Sequence, residues 1–164
     1  MRNLLIPVCI ISALLPSLSL ADDVISHRNI GMELARDLAN EAVSVCRKGG
    51  YHVSAVVVDR YGILRAALRD DIASRFTLQI AEEKANAVVM AGIPSGQFRD
   101  KRGDIRPELN HINGIIMMQG GIPINAGGSR IGAIGVSGAP GGEKDEVCAA
   151  KAIEKMMERL EFAE

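Results

Sequence analysis

The feature that most restricts this chain is a change of hydrophobic period at Gly49-Gly50. Upstream, Ile30, Leu34, Leu38 and Val45 recur at helical spacing, with a ridge of small residues, Ala35, Ala39, Ala42 and Cys46, beside them. This pattern predicts a helix capped by Ser26 and running to Lys48, with the two glycines as its left-handed stop. Downstream the period falls to two. Residues 52–59 are β-branched and strand-like, Arg60-Tyr61-Gly62 is a turn, and residues 63–69 return as a second strand. A hairpin is antiparallel by construction, so an all-parallel α/β sheet is excluded.

The rest of the chain extends the same architecture. A helix is expected over residues 74–91, stopped by Gly92 and Pro94, followed by a polar loop over 95–110 with one short helical turn. Short strands are expected at 115–118, 122–124 and 130–136, with Ala126-Gly127-Gly128 as a hairpin turn. A last helix is expected over 143–162, with Glu143, Asp145 and Glu146 in its first turn. The order of elements gives one α+β domain, an antiparallel sheet flanked by N-terminal, middle and C-terminal helices.

Residues 1–21 differ from the remainder. Arg2 precedes an almost uninterrupted apolar run that ends in Ser19-Leu20-Ala21, the pattern of a secretory signal peptide cleaved after Ala21. Pro7 and Pro16 disfavour a permanent span, although a retained N-terminal anchor is the alternative. The mature domain is then 22–164, periplasmic or secreted. Export would leave Cys46 and Cys148 in an oxidising compartment, as one disulfide or as two buried thiols.

Charge and aromatic content narrow the partners. With 19 basic against 20 acidic residues there is no excess to neutralise phosphates. Two Tyr, three Phe and no Trp leave few platforms for stacking bases, so nucleic acid is not an expected partner. No nucleophile elbow, paired-His zinc helix, Walker loop or metal-spaced Cys cluster is present, and the catalytic residues stay unassigned.

A few polar residues stand out against this background. Lys84 lies on the apolar face of the middle helix, with Ala81, Ala87 and Val88, while Glu83 and Asn86 lie away from it. It is a snorkelling side chain, a desolvated cation awaiting a carboxylate, or the partner of Asp59, Asp70 or Asp71. His27 falls at the N-terminal end of the first apolar stripe, provided that helix has begun; His111, in the polar loop, competes with it, and His52 at a strand start is structural. Gly132, Gly135 and Gly138 alternate faces in a strand, so they permit close approach by a packed helix or a flat ligand rather than forming a phosphate cradle. The glycine-rich helix entry Pro140-Gly141-Gly142 is read as structural, because its acidic first turn repels an anion.

Several segments occur together in one order: Ala55-Val56-Val57-Val58-Asp59-Arg60-Tyr61-Gly62, Ala66-Ala67-Leu68-Arg69-Asp70-Asp71, Ala81-Glu82-Glu83-Lys84-Ala85, Gly120-Gly121-Ile122-Pro123-Ile124, Ile131-Gly132-Ala133-Ile134-Gly135-Val136-Ser137-Gly138 and Lys144-Asp145-Glu146. In this combination the chain resembles the GlcG/HbpS-like family, which includes the C-terminal domain of PduO-type proteins. The resemblance implies a profilin-like α+β fold, homo-oligomers and, for several members, haem binding linked to haem or iron handling. It implies haem as cofactor here; the iron ligand is not part of the shared motifs, and the position of His27 on the apolar stripe near a helix end makes it the candidate, with His111 as its alternative and Lys84 or Arg69 meeting the propionates. The competing expectations are a binding protein or enzyme for small carboxylic (hydroxy) acids held by Lys84, and an oligomeric scaffold without ligand.

Overall fold

The computed structural model describes residues 25–162, so the signal-peptide assignment lies outside the described residues. Its order is α1 (Met32–Lys48), β1 (Ser54–Asp59), β2 (Leu64–Arg69), α2 (Phe76–Ala91), α3 (Ser95–Lys101), a 3-10 turn (Gly103–Ile105), α4 (Arg106–Leu109), β3 (Gly121–Ala126), β4 (Ser129–Ser137), α5 (Gly142–Lys155) and α6 (Met157–Glu161). The four strands form one antiparallel sheet in the order β2-β1-β4-β3, the α+β, profilin-like arrangement expected from the sequence.

Alternation along the central strands creates two cores. Ala55 and Val57 of β1, with Ile134 and Val136 of β4, face α1 and α5. Val56, Val58 and Ala133 face α2, against Ala81, Ala85 and Val88. On α1 the small ridge is what sinks deepest. Ala35, Leu38, Ala39, Ala42 and Cys46 are fully buried, whereas Leu34 and Val45 pack at the margin. This close helix contact brings Cys46 and Cys148 together as a disulfide with a Cα separation of 5.4 Å. Closing a loop with a sequence separation of 102 contributes about 4–5 kcal/mol in the chain-entropy account.

Glycine makes the other face equally tight. Gly121 and Gly135 are cross-strand partners on the side facing α2. A Cβ on Gly135 would lie 1.9 Å from the Ala81 carbonyl oxygen, and one on Gly121 would lie 2.5 Å from that of Lys84. For Gly135 the anticipated close approach is therefore made by a packed helix, whereas a Cβ on Gly132 or Gly138 would meet the backbone of Val58 or His52.

Four expectations are corrected. The first helix does not begin at Ser26: residues 25–31 run without helix, and the N-cap position is Gly31. Asn29 explains this, because its Oδ1 accepts from the N–H groups of Ile30 and Arg60, each at 3.1 Å, while Nδ2 donates to Asp59 at 3.2 Å. These bonds, with Ile30 N–H donating to the Ile131 carbonyl at 3.0 Å, hold the segment as a strap against the hairpin turn and β4. Residues 115–118 are not a strand. Met117 N–H donates to the Asn110 side chain at 3.4 Å and Met118 N–H to the Ile116 carbonyl at 2.9 Å, while Ile116 N–H donates to the Glu83 carbonyl at 3.5 Å and Met117 packs against Ala87, which lays the segment on α2. Finally, the polar loop holds two short helices and a 3-10 turn rather than one helical turn, and the last helix is interrupted at Met156.

Candidate functional site

The helix α2 separates two environments. On its sheet side, Lys84 is 1% exposed and its Nζ donates to Asp145 Oδ2 at 2.8 Å and to the Val136 carbonyl at 2.9 Å. Ala139 N–H donates to the other carboxylate oxygen at 2.9 Å. Burial pushes the Asp145 carboxyl above its ordinary value, against the opposing pull of the Lys84 ammonium. Lys84 thus occupies the apolar face, as its helical position predicts, but its counter-ion is Asp145 and not Asp59, Asp70 or Asp71. Nor does it snorkel: the ammonium is sealed within the protomer. The acidic turn of α5 holds the partner of this buried cation.

Arg69 is the last residue of β2, at the end of the hairpin away from Tyr61. Its guanidinium donates to the carbonyls of Ala73 and Asp71 and so fastens the turn after β2. Beside it, Asp70 accepts two bonds from Arg47, at 3.0 and 2.9 Å, with His52 Nδ1 at 3.2 Å and Asp71 N–H at 2.7 Å. The Arg47 bonds hold the Asp70 carboxyl well below its usual range despite burial, with His52 adding to the effect. His52 is structural here, as its place at the strand start suggests.

The outer side of α2 is open. His27 is not on a helix facing the core. It lies exposed on the strap, with its ring edge-on to Tyr61 at a centroid separation of 6.2 Å. Tyr61 forms one end of a groove of about 260 Å³ with Gly62, Asn86, Val89, Met90 and Ile115. A second groove, of about 430 Å³, is lined by Glu83, Arg106, Asn110, Ile112, Ile116 and Met118, and the two share the wall formed by Asn113, Gly114 and Ile115. His111 is exposed between Asn110 and Ile112 of the second groove. One face therefore carries His27 and His111 beside adjoining grooves, while Lys84 and Arg69 are held elsewhere.

Sequence reasoning missed Tyr61, Asn86 and Arg106. Glu83, Asn86 and Met90 recur at i, i+3 and i+7 on α2, a stripe distinct from the apolar face, and that spacing was the available signal. Asn86 Nδ2 donates to the Gly114 carbonyl at 3.0 Å and braces the shared wall; its Oδ1 is buried without a partner. Among the described residues no cluster of three metal-ligating side chains occurs, and no helix is long and apolar enough to cross a membrane.

Residues 30–154 match the family model for haem degrading protein HbpS-like. The chain belongs to the HbpS-like family. A crystal structure of HbpS is 33% identical, with a TM-score of 0.77, covering 84% of this chain and 97% of that one. A double mutant of HbpS from Streptomyces reticuli, with two glutamates changed to aspartate, is 31% identical at a TM-score of 0.77, covering 88% and 98%. A PduOC:haem complex shares the fold at 22% identity and a TM-score of 0.67, covering 77% and 94%. No curated protein matches the chain. HbpS-like membership and the four-stranded sheet agree with the resemblance drawn from the ordered motifs.

Proposed function

We propose that this HbpS-like chain is an exported, homo-oligomeric haem-binding protein, with its ligand on the open face of α2. The observation that carries the reading is the pairing of an exposed imidazole with an aliphatic groove: His27 stands against Tyr61, and Val89, Met90 and Ile115 line the space beyond. This set fits a haem, which needs one axial nitrogen and apolar cover. Arg106 forms no ion pair among the described residues and is the cation nearest in kind to what a propionate requires. Lys84 is already neutralised and Arg69 is engaged with backbone carbonyls, so neither is needed for that role. When bound, haem supplies a redox-active iron. The chain's own contribution is the imidazole nitrogen, the aliphatic walls and the cation.

Two further observations support the rest of the reading. An open groove of about 260 Å³ lies below the span of sites that enclose a ligand alone, about 300–1,000 Å³, so a second copy closing over this face completes the cover. The Cys46–Cys148 disulfide suits an oxidising compartment and so favours export.

Titration of the mature protein with haemin tests this. A saturable Soret spectrum is expected, lost in His27→Ala and retained in His111→Ala. The reverse pattern moves the ligand role to His111, and the absence of a saturable spectrum overturns the proposal. Emission from Tyr51 and Tyr61, unmasked because the chain has no Trp, gives a second readout.

A further inference from the structure

The most apolar opening near α2 adjoins the face just described, sharing only Met90 with its smaller groove. Between the end of α2 and the segment that follows it, Met90, Ala91, Ile93, Phe98, Ile105 and Leu109 line a groove of about 380 Å³. Its floor belongs to a small third core, in which Ala87, Phe98, Leu109 and Met117 are buried and Ala91, Ile93 and Ile105 pack at the edge. The groove is therefore backed by packed side chains, while Met90 keeps 50% of its surface exposed at the mouth.

The charged residues that line it are both basic. Lys101 and Arg102 stand at the C-terminal end of α3 and both line the groove. Arg99 pairs with Asp100 at 2.8 Å and Arg102 with Asp104 at 3.1 Å, whereas Lys101 forms no ion pair among the described residues. An unpaired ammonium over a concave aliphatic and aromatic floor is complementary to a molecule with an apolar body and a single anionic head.

We propose that this groove is a second binding site, separate from the haem face, that takes an amphipathic monocarboxylate, with Lys101 meeting the carboxylate and Phe98, Ile105 and Leu109 receiving the hydrocarbon. Apart from Met90, which also borders the smaller groove of the haem face, the site stands on its own residues and does not depend on haem binding. Its size suits a chain or ring of modest length. A neutral ligand of equal length leaves Lys101 unused, so the carboxylate is what distinguishes the preferred class.

The test uses 1-anilinonaphthalene-8-sulfonate as reporter and octanoate as competitor, on the disulfide-bonded mature protein. Saturable dye emission is expected, displaced by octanoate about tenfold more effectively than by octanol. Lys101→Gln, at an exposed position, is expected to remove that preference while leaving dye binding to the apolar floor measurable. Ala91→Leu, which adds bulk at the groove, is expected to abolish octanoate binding; its melting curve and haemin titration report whether the fold is intact. Failure of the dye to bind, equal displacement by octanoate and octanol, or an unchanged preference in Lys101→Gln overturns the proposal. Displacement of octanoate by haemin, or its loss in His27→Ala, also overturns it by placing both ligands in one site. A protein that binds octanoate but not haemin refutes the haem reading alone.

Discussion

The two sides of α2 follow opposite rules. On the sheet side, Gly121 and Gly135 admit the helix backbone, and a lysine and an aspartate are enclosed together beneath it. On the outer side, Glu83, Asn86 and Met90 border grooves, and the imidazoles nearby are exposed. A buried charge is tolerated where it is ion-paired and hydrogen-bonded, while a ligand site needs groups held short of such satisfaction. The comparison teaches that a charged residue on an apolar helix face identifies a place where the fold is fastened, and that the less conspicuous polar stripe identifies where it is open.

Stability measurements separate the two sides. The largest effect is expected from Lys84→Met, which strands the Asp145 carboxylate in the interior and costs about 3–5 kcal/mol in urea unfolding. Adding Asp145→Leu is expected to recover most of that loss; failure to recover would show that the pair positions α5 in a way that apolar side chains cannot replace. Gly135→Ala comes next, because the added methyl would lie 1.9 Å from the Ala81 backbone carbonyl oxygen and α2 must move to admit it, so the cost is expected at or above the upper end of the ~1–3 kcal/mol of ordinary overpacking.

Acid unfolding probes a third position, away from both sides. The carboxyl of Asp70 titrates lower in the folded chain than in the unfolded one, chiefly because of Arg47. Its contribution is therefore fully present above the unfolded value of about 4 and is lost as pH falls through the lower folded value. Asp70→Asn is expected to flatten the acid branch of the stability curve; an unchanged branch would show that Arg47 and His52 are not linked to folding through Asp70. The smallest effect on stability belongs to His27→Ala, within about 0.5 kcal/mol, since the ring is exposed. Its effect on the haemin spectrum is expected to be large, so binding and stability are divided across α2.

Much of this arrangement was legible in local patterns. The hairpin, the Gly92 stop and the small ridge of α1 depend on neighbours a few residues apart. The position of Lys84 on its helix was equally readable, but its partner was not, because Asp145 is 61 residues away and lay in a turn whose acidity suggested only repulsion. The strap at residues 25–31 escaped for a similar reason: Asn29 acts on the hairpin turn through bonds spanning 30 residues and more. Residues 115–118 illustrate a different limit, since a short apolar run has the same composition whether it enters a sheet or lies on a helix. The grooves depend on how that run folds back, so the open face was the least legible part.

The disulfide between α1 and α5 also changes what a cut in the chain can do. Everything from Cys46 to Cys148 is a covalent ring, and α3, α4 and the grooves lie within it. A single cleavage between residues 95 and 118 opens the ring without releasing a fragment. The nicked molecule keeps its mass apart from one added water, and its two pieces separate on a denaturing gel only after reduction.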